Sequence, residues 1–332
     1  MKLYIVYVLV FLAAATLIVN NEAKSNEDQL VEYISPGESV YVLEEWKSPG
    51  KYSPIMAFDG NSSTCFAEDT SDNRLNIMLR FRKEILIDEI RIINGFSKSE
   101  DLFQKNNRIR NLMLEFAIEK SEVYRSIGEE KFVLKDQMNF QSLKLAKSYQ
   151  TNYVQVGSTG ENPYKGMKYD DTCITEIEFY YKGKKIEINN TDQLQKDYLD
   201  RLNRDYRIVL EDRTYHFTPK NDRTHVIEFY KNGTIGYVES VYNPGEEVYF
   251  KKDKNFKLSK FLPYKYWKLE NLHLYMKNEK DSEWKLMKFK FCRRQEYEGI
   301  AKFEFIIYKD INDKDGFELL DAINIHAEAT GW

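Results

Sequence analysis

Apolar residues spaced two apart constrain this chain more than any other feature. Leu75, Ile77, Leu79 and Phe81 alternate with Arg74, Asn76, Met78 and Arg80, and Leu112, Leu114, Phe116 and Ile118 repeat the device. Side chains on an extended backbone point to opposite faces in turn, so this period predicts strands with one face in a core. Between Ile85 and Ile92 the apolar phase slips by one position, which predicts a β-bulge. A last strand of the same region, Cys173 to Tyr181, is expected to bury Cys173, Thr175, Ile177 and Phe179 and to turn Glu176 and Glu178 the other way. Strands of this kind, separated by long polar loops, predict an antiparallel sandwich.

The chain of 332 residues is long enough for two domains of ordinary size. Aromatics make up 14% of it, with 24 Tyr and 20 Phe, enough to fill packed cores and to favour pleated sheet. Charged residues are nearly balanced, for a net charge of −4. Such a balance gives no field that would draw nucleic acid or an acidic membrane.

Lys2 precedes an apolar run, Leu3 to Val19, followed by Asn20, Asn21 and Glu22. Residues 1–23 therefore read as a secretory signal with cleavage after Ala23, which would leave no transmembrane segment in the mature chain. An uncleaved anchor is the alternative. Export would permit disulfides, and of Cys65, Cys173 and Cys292 the first two fall in one expected domain. They are expected either to bridge or to remain, with Cys292, as buried thiols.

Residues 24–185 are assigned to the sandwich and 186–206 to a linker. The linker holds a short amphipathic helix, Asp192 to Arg204, with Leu194, Tyr198 and Leu202 spaced by four. Residues 207–332 read as a second antiparallel β domain. Val226 to Tyr230 and Thr234 to Val238 flank an Asn232-Gly233 turn, a strong hairpin signal. Further strands are expected at Glu247 to Phe250, Tyr266 to Met276, Trp284 to Phe291, Lys302 to Tyr308 and Phe317 to Ile323. The expected fold is all-β throughout, the second domain being barrel-like, with a loose resemblance to lipocalins, or a small sandwich. His216, His225, His273 and His326 lack metal-ligand spacing, and no nucleophile elbow, paired-Cys motif or phosphate loop is present. A non-enzymatic protein is expected.

Three stretches carry a family resemblance: Ala57-Phe58-Asp59-Gly60-Asn61-Ser62-Ser63-Thr64; Asn94-Gly95-Phe96-Ser97-Lys98-Ser99 with Asn106-Asn107-Arg108; and Tyr164 to Ile177. In this order they resemble discoidin, or coagulation factor 5/8 type C, domains, in the bacterial subgroup found before NAD glycohydrolases, over about residues 33–181. The resemblance implies a jelly-roll sandwich that binds glycans through loops at one end. It also implies a calcium ion where the first loop meets the last strand, with Asp59, Asn61, Thr64 and Glu176 as ligands and Glu178 as the competing carboxylate. The alternative is that Asp59-Gly60-Asn61 is an ordinary turn and Thr64 a local cap.

Asn94, Lys98, Asn107, Arg108, Lys168, Tyr169 and Asp171 are the expected glycan contacts, with Tyr169 or Phe96 as the ring platform. The alternative for part of this set is internal, with Arg108 pairing Asp171 to hold two loops together. The function expected is an exported, non-catalytic carbohydrate-binding protein of the secreted or cell-envelope fraction, whose partner is a glycan or a glycosylated surface protein. A host-matrix adhesin, or carriage of an apolar ligand in a hollow C-terminal barrel, are the alternatives.

Overall fold

The computed structural model describes residues 30–69, 74–120, 123–158, 160–217, 225–241, 249–251, 264–278, 283–297, 300–308 and 317–321. The expected signal at 1–23, the parts of the expected strands at 247–248 and 322–323, and His326 lie outside the described residues.

The sandwich is built from β1 (Val31–Pro36), β2 (Phe66–Glu68), β3 (Asn76–Asn94), β4 (Asn107–Arg108), β5 (Asn111–Lys120), β6 (Val123–Val133), β7 (Gln141–Ser158), β8 (Thr172–Tyr181) and β9 (Lys184–Ile186). Hydrogen bonds link them in the order β2-β8-β3-β7-β5-β6, with β1 on β3 and both β4 and β9 on β8. The long strands β3 and β7 belong to both layers. The first part of β3 pairs with β1 and the end of β7, and its second part pairs with the start of β7 and with β8. Its register breaks between Arg80 and Ile85 and again between Ile87 and Glu89, where the phase slip predicted a bulge. There the strand turns the corner from one layer to the other. Phe179 of β8 stacks on Phe58 at 6.0 Å and meets Phe81 of β3 edge-on at 5.8 Å, which closes the core between the layers.

Strand β8 differs from its expected one-faced pattern. It lies between β2 and β3, and Glu176 is buried along with Cys173, Thr175, Ile177 and Phe179.

The expected linker is a structural element instead. A short helix, α1 (Glu100–Lys105), belongs to the sandwich loops, whereas α2 (Thr191–Leu210) runs for 20 residues and buries Leu194, Tyr198, Leu202, Tyr206, Val209 and Leu210. Asp192 in its first turn and Arg207 in its last complement the helix dipole. Asn190 ties its start to β1 by donating to the Val31 carbonyl at 3.0 Å.

The C-terminal strands are β10 (Arg213–Phe217), β11 (His225–Phe229), β12 (Ile235–Val241), β13 (Tyr249–Lys251), β14 (Tyr266–Glu270), β15 (His273–Lys277), β16 (Lys285–Leu286), β17 (Phe289–Tyr297), β18 (Ile300–Ile307) and β19 (Phe317–Asp321). They form a seven-stranded antiparallel sheet, β13-β12-β11-β10-β19-β18-β17, and a three-stranded sheet, β14-β15-β16. The expected hairpin is present, with Phe229 opposite Ile235 across the Asn232-Gly233 turn. The second domain is antiparallel as expected. Among the described residues, however, no pairing of β13 with β17 closes it into a barrel. Nor is the face over β17 hollow, since Tyr206 of α2 meets Phe289 and Phe291 edge-on at 5.0 and 5.2 Å.

One apolar core therefore runs from the sandwich through α2 into the C-terminal sheet. Polar contacts reinforce the joint: the Ser39 amide donates to the Arg293 carbonyl at 2.8 Å, and Lys290 pairs with Asp69 at 3.0 Å. His273, rather than serving a site, places its ring nitrogens against the carbonyls of Asn271 and Lys47.

Glu45 is buried in this joint against the Tyr198 hydroxyl of α2. Burial pushes its carboxyl up to about 7, against the lowering effect of the Tyr198 hydrogen bond. The folded protein holds this proton at a pH where the unfolded chain, titrating near 4.5, has lost it. Its contribution to stability is thus complete below 4.5 and lost as the pH rises through 7. Between about pH 5 and pH 8 the wild type should lose about 3 kcal/mol relative to Glu45→Gln. Urea melts of both proteins at the two pH values measure the difference.

Candidate functional site

The loop that follows the short helix Pro54–Ala57 meets strand β8 at its acidic face. The Gly60 amide donates to Glu176 Oε2 at 2.9 Å. Asp59 Oδ1 accepts from the Asn61 amide at 2.9 Å, and the Thr64 hydroxyl lies 2.8 Å from Asp59 Oδ2 and 2.7 Å from the Asn61 carbonyl. Asp59, Asn61, Thr64 and Glu176 are therefore gathered in one place, as the sequence led us to expect. Burial, and then the charge of Asp59, push the Glu176 carboxyl up to about 8.

Glu178 lines the same pocket as Asp59 and Glu176 but has partners of its own. It accepts from Lys185 at 2.7 Å and from the Tyr180 hydroxyl at 2.8 Å. The loop is also self-capped in the way an aspartate turn is, with its amides and hydroxyl directed at the carboxylates. Among the described residues no group of three His, Cys, Asp or Glu side chains gathers as a metal site. What the loop offers is two carboxylates, one carbonyl and one hydroxyl. These are hard oxygens of the kind calcium takes.

The seven expected glycan contacts divide into two groups. Asn94 is fully buried, and its amide grips the Ile109 backbone in both directions, donating at 2.6 Å and accepting at 2.9 Å. Asn107 is equally buried; it donates to the Asp170 carbonyl and accepts from the Gly166 amide, both at 2.8 Å. Arg108 is 3% exposed. Its fork binds Asp136 at 2.9 and 2.8 Å, its third nitrogen reaches the carbonyls of Phe103 and Asn106, and its plane lies over the Phe103 ring. The partner of Arg108 is Asp136 and not Asp171. Asp171 is itself buried, accepts from the Cys173 thiol, and has its carboxyl raised by burial. These four residues are framework.

Lys98, Lys168 and Tyr169 are the exposed group. The amides of Met167, Lys168 and Tyr169 donate to the carbonyls of Gln104 and Lys105, so the loop is laced along the end of α1. Gly166 makes that approach possible, because a Cβ there would come within 2.3 Å of the Lys105 carbonyl. The outcome is an apolar tip in which Met167 is 76% and Tyr169 39% exposed, with the Lys168 ammonium 5.1 Å from the Tyr169 ring centre. Met167, Asp136 and Tyr164, whose hydroxyl donates to the Leu134 carbonyl at 2.8 Å, were not singled out from the sequence. Nothing in the sequence pattern joins Arg108 to an aspartate 28 positions on.

Cys65 and Cys173 share a small buried cluster with Ala67, and hydrogen bonding to Cys65, then burial, raises the Cys173 thiol. The structure holds both, and Cys292, as free thiols.

The fold and this loop end define an F5/8 type C, discoidin-like domain. Residues 39–180 match the family model described as the NAD glycohydrolase translocation F5/8 type C domain. A comparison with curated proteins gives no match. Among solved structures the chain is similar to CpGH89CBM32-5 from Clostridium perfringens, in complex with GalNAc-beta-1,3-galactose; identity is 14%, coverage is 45% of this chain and 95% of that one, and the TM-score is 0.34. It is also similar to CBM32-1 from a family 31 glycoside hydrolase of the same organism (11% identity, 46% and 98% coverage, TM-score 0.33). A third is the family 32 module of C. perfringens NanJ in complex with galactose (12% identity, 45% and 93% coverage, TM-score 0.30). Among the described residues no helix is long and apolar enough to cross a membrane.

Framework and tip should respond differently to truncation. Arg108→Ala strands the Asp136 carboxylate and the carbonyls it served, and should cost about 3 kcal/mol of stability. Lys168→Ala and Tyr169→Ala should each stay within about 0.5 kcal/mol of wild type. Denaturant titration of the purified variants separates the two groups.

Proposed function

We propose that the sandwich, residues 24–185, is the recognition domain of an exported, non-catalytic carbohydrate-binding protein that acts in the secreted or cell-envelope fraction. Its partner is a glycan, free or on a glycosylated surface protein. The observation that carries this reading is the exposed tip at Lys168 and Tyr169, with Lys98 exposed ahead of α1, set on a loop framework whose own polar groups are consumed internally. An aromatic ring beside directed ammonium donors offers a sugar both an apolar face and hydrogen bonds. Pre-ordering of the loops by Asn94, Asn107 and Arg108 reduces the entropy lost when a ligand docks. The family match of residues 39–180 supports the assignment of this domain to binding.

One feature favours the alternative, a protein-contact adhesin. Met167, 76% exposed, is apolar and flexible, as residues at adaptable protein interfaces are. Loss of binding on enzymatic deglycosylation of the target separates the two, because a protein contact would survive it.

Calcium belongs to this reading as a structural ion at Asp59, Asn61, Thr64 and Glu176. Support comes from the convergence of their oxygens and from the charge conflict between two neighbouring carboxylates, which a divalent cation would relieve. In this role the ion would brace the first loop against β8.

Two outcomes are expected. On a glycan array, Tyr169→Ala should lose about tenfold in affinity for the glycans bound by wild type; an unchanged profile would remove the tip from recognition. Millimolar calcium, relative to chelator, should raise the Tm by roughly 5 °C. Glu176→Gln, which can still accept from the Gly60 amide, should abolish that difference.

A further inference from the structure

Where the sandwich meets the C-terminal sheet there is a cleft of about 670 Å³. Asn76, Gln155 and Gly157 line one wall, and Lys290, Ile306 and Tyr308 the other. Its floor contains the middle of the sandwich sheet, since Asn76 of β3 is paired with Gly157 of β7.

Gly157 is the informative residue. Glycine inside a strand costs roughly 0.5–1 kcal/mol, so a packing or binding reason is expected for it. Packing does not supply one. A Cβ at this position would meet nothing closer than the Leu75 carbonyl oxygen at 3.4 Å, then the Met113 methyl at 3.9 Å, both ordinary contacts with cleft-lining residues. Gly157 is itself buried, at the base of the cleft, where the missing side chain leaves room among Leu75, Met113 and Asn76.

Polar groups of the cleft wall are unused. Among the described residues Gln155, Asn76 and Glu38, all lining the cleft, make no side-chain hydrogen bond or ion pair within the protein. Two amides and a carboxylate are planar groups with fixed directions for donors and acceptors. Met113 and Ile306 give the same cleft an apolar portion.

Charge narrows the ligand class. Three acidic side chains, Glu38, Asp69 and Glu304, stand against Arg74 and Lys290. Lys290 is held by Asp69, and Glu304 accepts from the Tyr41 hydroxyl. A polyanion would find little attraction here. A neutral ligand rich in hydroxyls would find directed partners and an apolar rest. We infer that the cleft between sandwich and C-terminal sheet is a second binding site, for a neutral saccharide, with Gly157 at its base and Gln155 and Glu38 reading hydroxyl groups. This inference is independent of the loop-end reading.

The test applies the full chain to an array of neutral and sialylated oligosaccharides, as wild type, Gly157→Leu, Gln155→Ala and Tyr169→Ala. Expected is a set of neutral glycans whose binding falls about tenfold with both Gly157→Leu and Gln155→Ala but is unchanged in Tyr169→Ala. If every glycan bound by wild type is bound equally by the two cleft variants, the cleft is overturned. Binding lost in Tyr169→Ala alone leaves the tip in place and overturns the cleft; binding lost only in the cleft variants does the reverse. A wild type that binds nothing overturns both. Should melting show that Gly157→Leu does not fold, Gln155→Ala decides, because the Gln155 side chain makes no hydrogen bond in the protein.

Discussion

The apolar stripe of α2 is the contact on which the rest of the molecule depends. Leu194 and Tyr198 face the sandwich side of a core that Tyr206, Val209 and Leu210 continue into the C-terminal sheet. Removing that stripe from water stabilises by about 2 kcal/mol per large side chain, and it does so for both halves at once. The tyrosines add direction: Tyr198 donates to Glu45, and Tyr206 fits edge-on between Phe289 and Phe291. Because α2 fixes how the sheet lies against the sandwich, it also fixes the walls of the cleft between them.

At the far loops the structure separates holding from contacting. Arg108 spends its charge and all three nitrogens on Asp136 and on the carbonyls of Phe103, Asn106 and Lys165. Asn94 and Asn107 do the same with uncharged amides. A buried polar group with every partner satisfied is rigid, and one left unsatisfied would be costly. The loops around α1 are therefore stiff although most of their backbone lies outside regular sheet. Stiff loops can hold Lys168 and Tyr169 outward without collapse onto the surface. The same logic applies within β3, where Glu89 is buried but held near 2; burial alone would raise it, and hydrogen bonds from Lys144, Arg91 and Ser142 outweigh that effect.

What was legible in the sequence was whatever leaves a local periodic trace. The period-two strands, the phase slip at Ile85 to Ile92 and the Asn232-Gly233 turn all correspond to observed elements, because each is set by neighbours a few positions away. The meeting of Asp59 with Glu176 was legible only through resemblance, as 116 positions separate Gly60 from the carboxylate it binds. Less was legible where burial decides. Polar loop residues such as Asn94, Asn107 and Asp171 look like ligand contacts in a sequence, and only the surrounding backbone shows that they are satisfied inside. The helix was expected to stop near Arg204, but Tyr206, Val209 and Leu210 extend its stripe because an aromatic sheet lies beside it. Barrel closure was inferred from strand number alone, and strand number does not determine whether edges meet. The cleft, made by two halves far apart in sequence, left no local trace.

Unfolding followed at two positions tests whether the halves are one cooperative structure. Trp46 is buried on the sandwich side and Trp267 against Phe229 in the C-terminal part. In variants that retain one of these tryptophans as the sole fluorophore, denaturant titration should give the same midpoint and slope from either reporter, since both depend on the stripe of α2. Two separated midpoints would contradict the shared core, and with it the fixed geometry of everything built between the two halves.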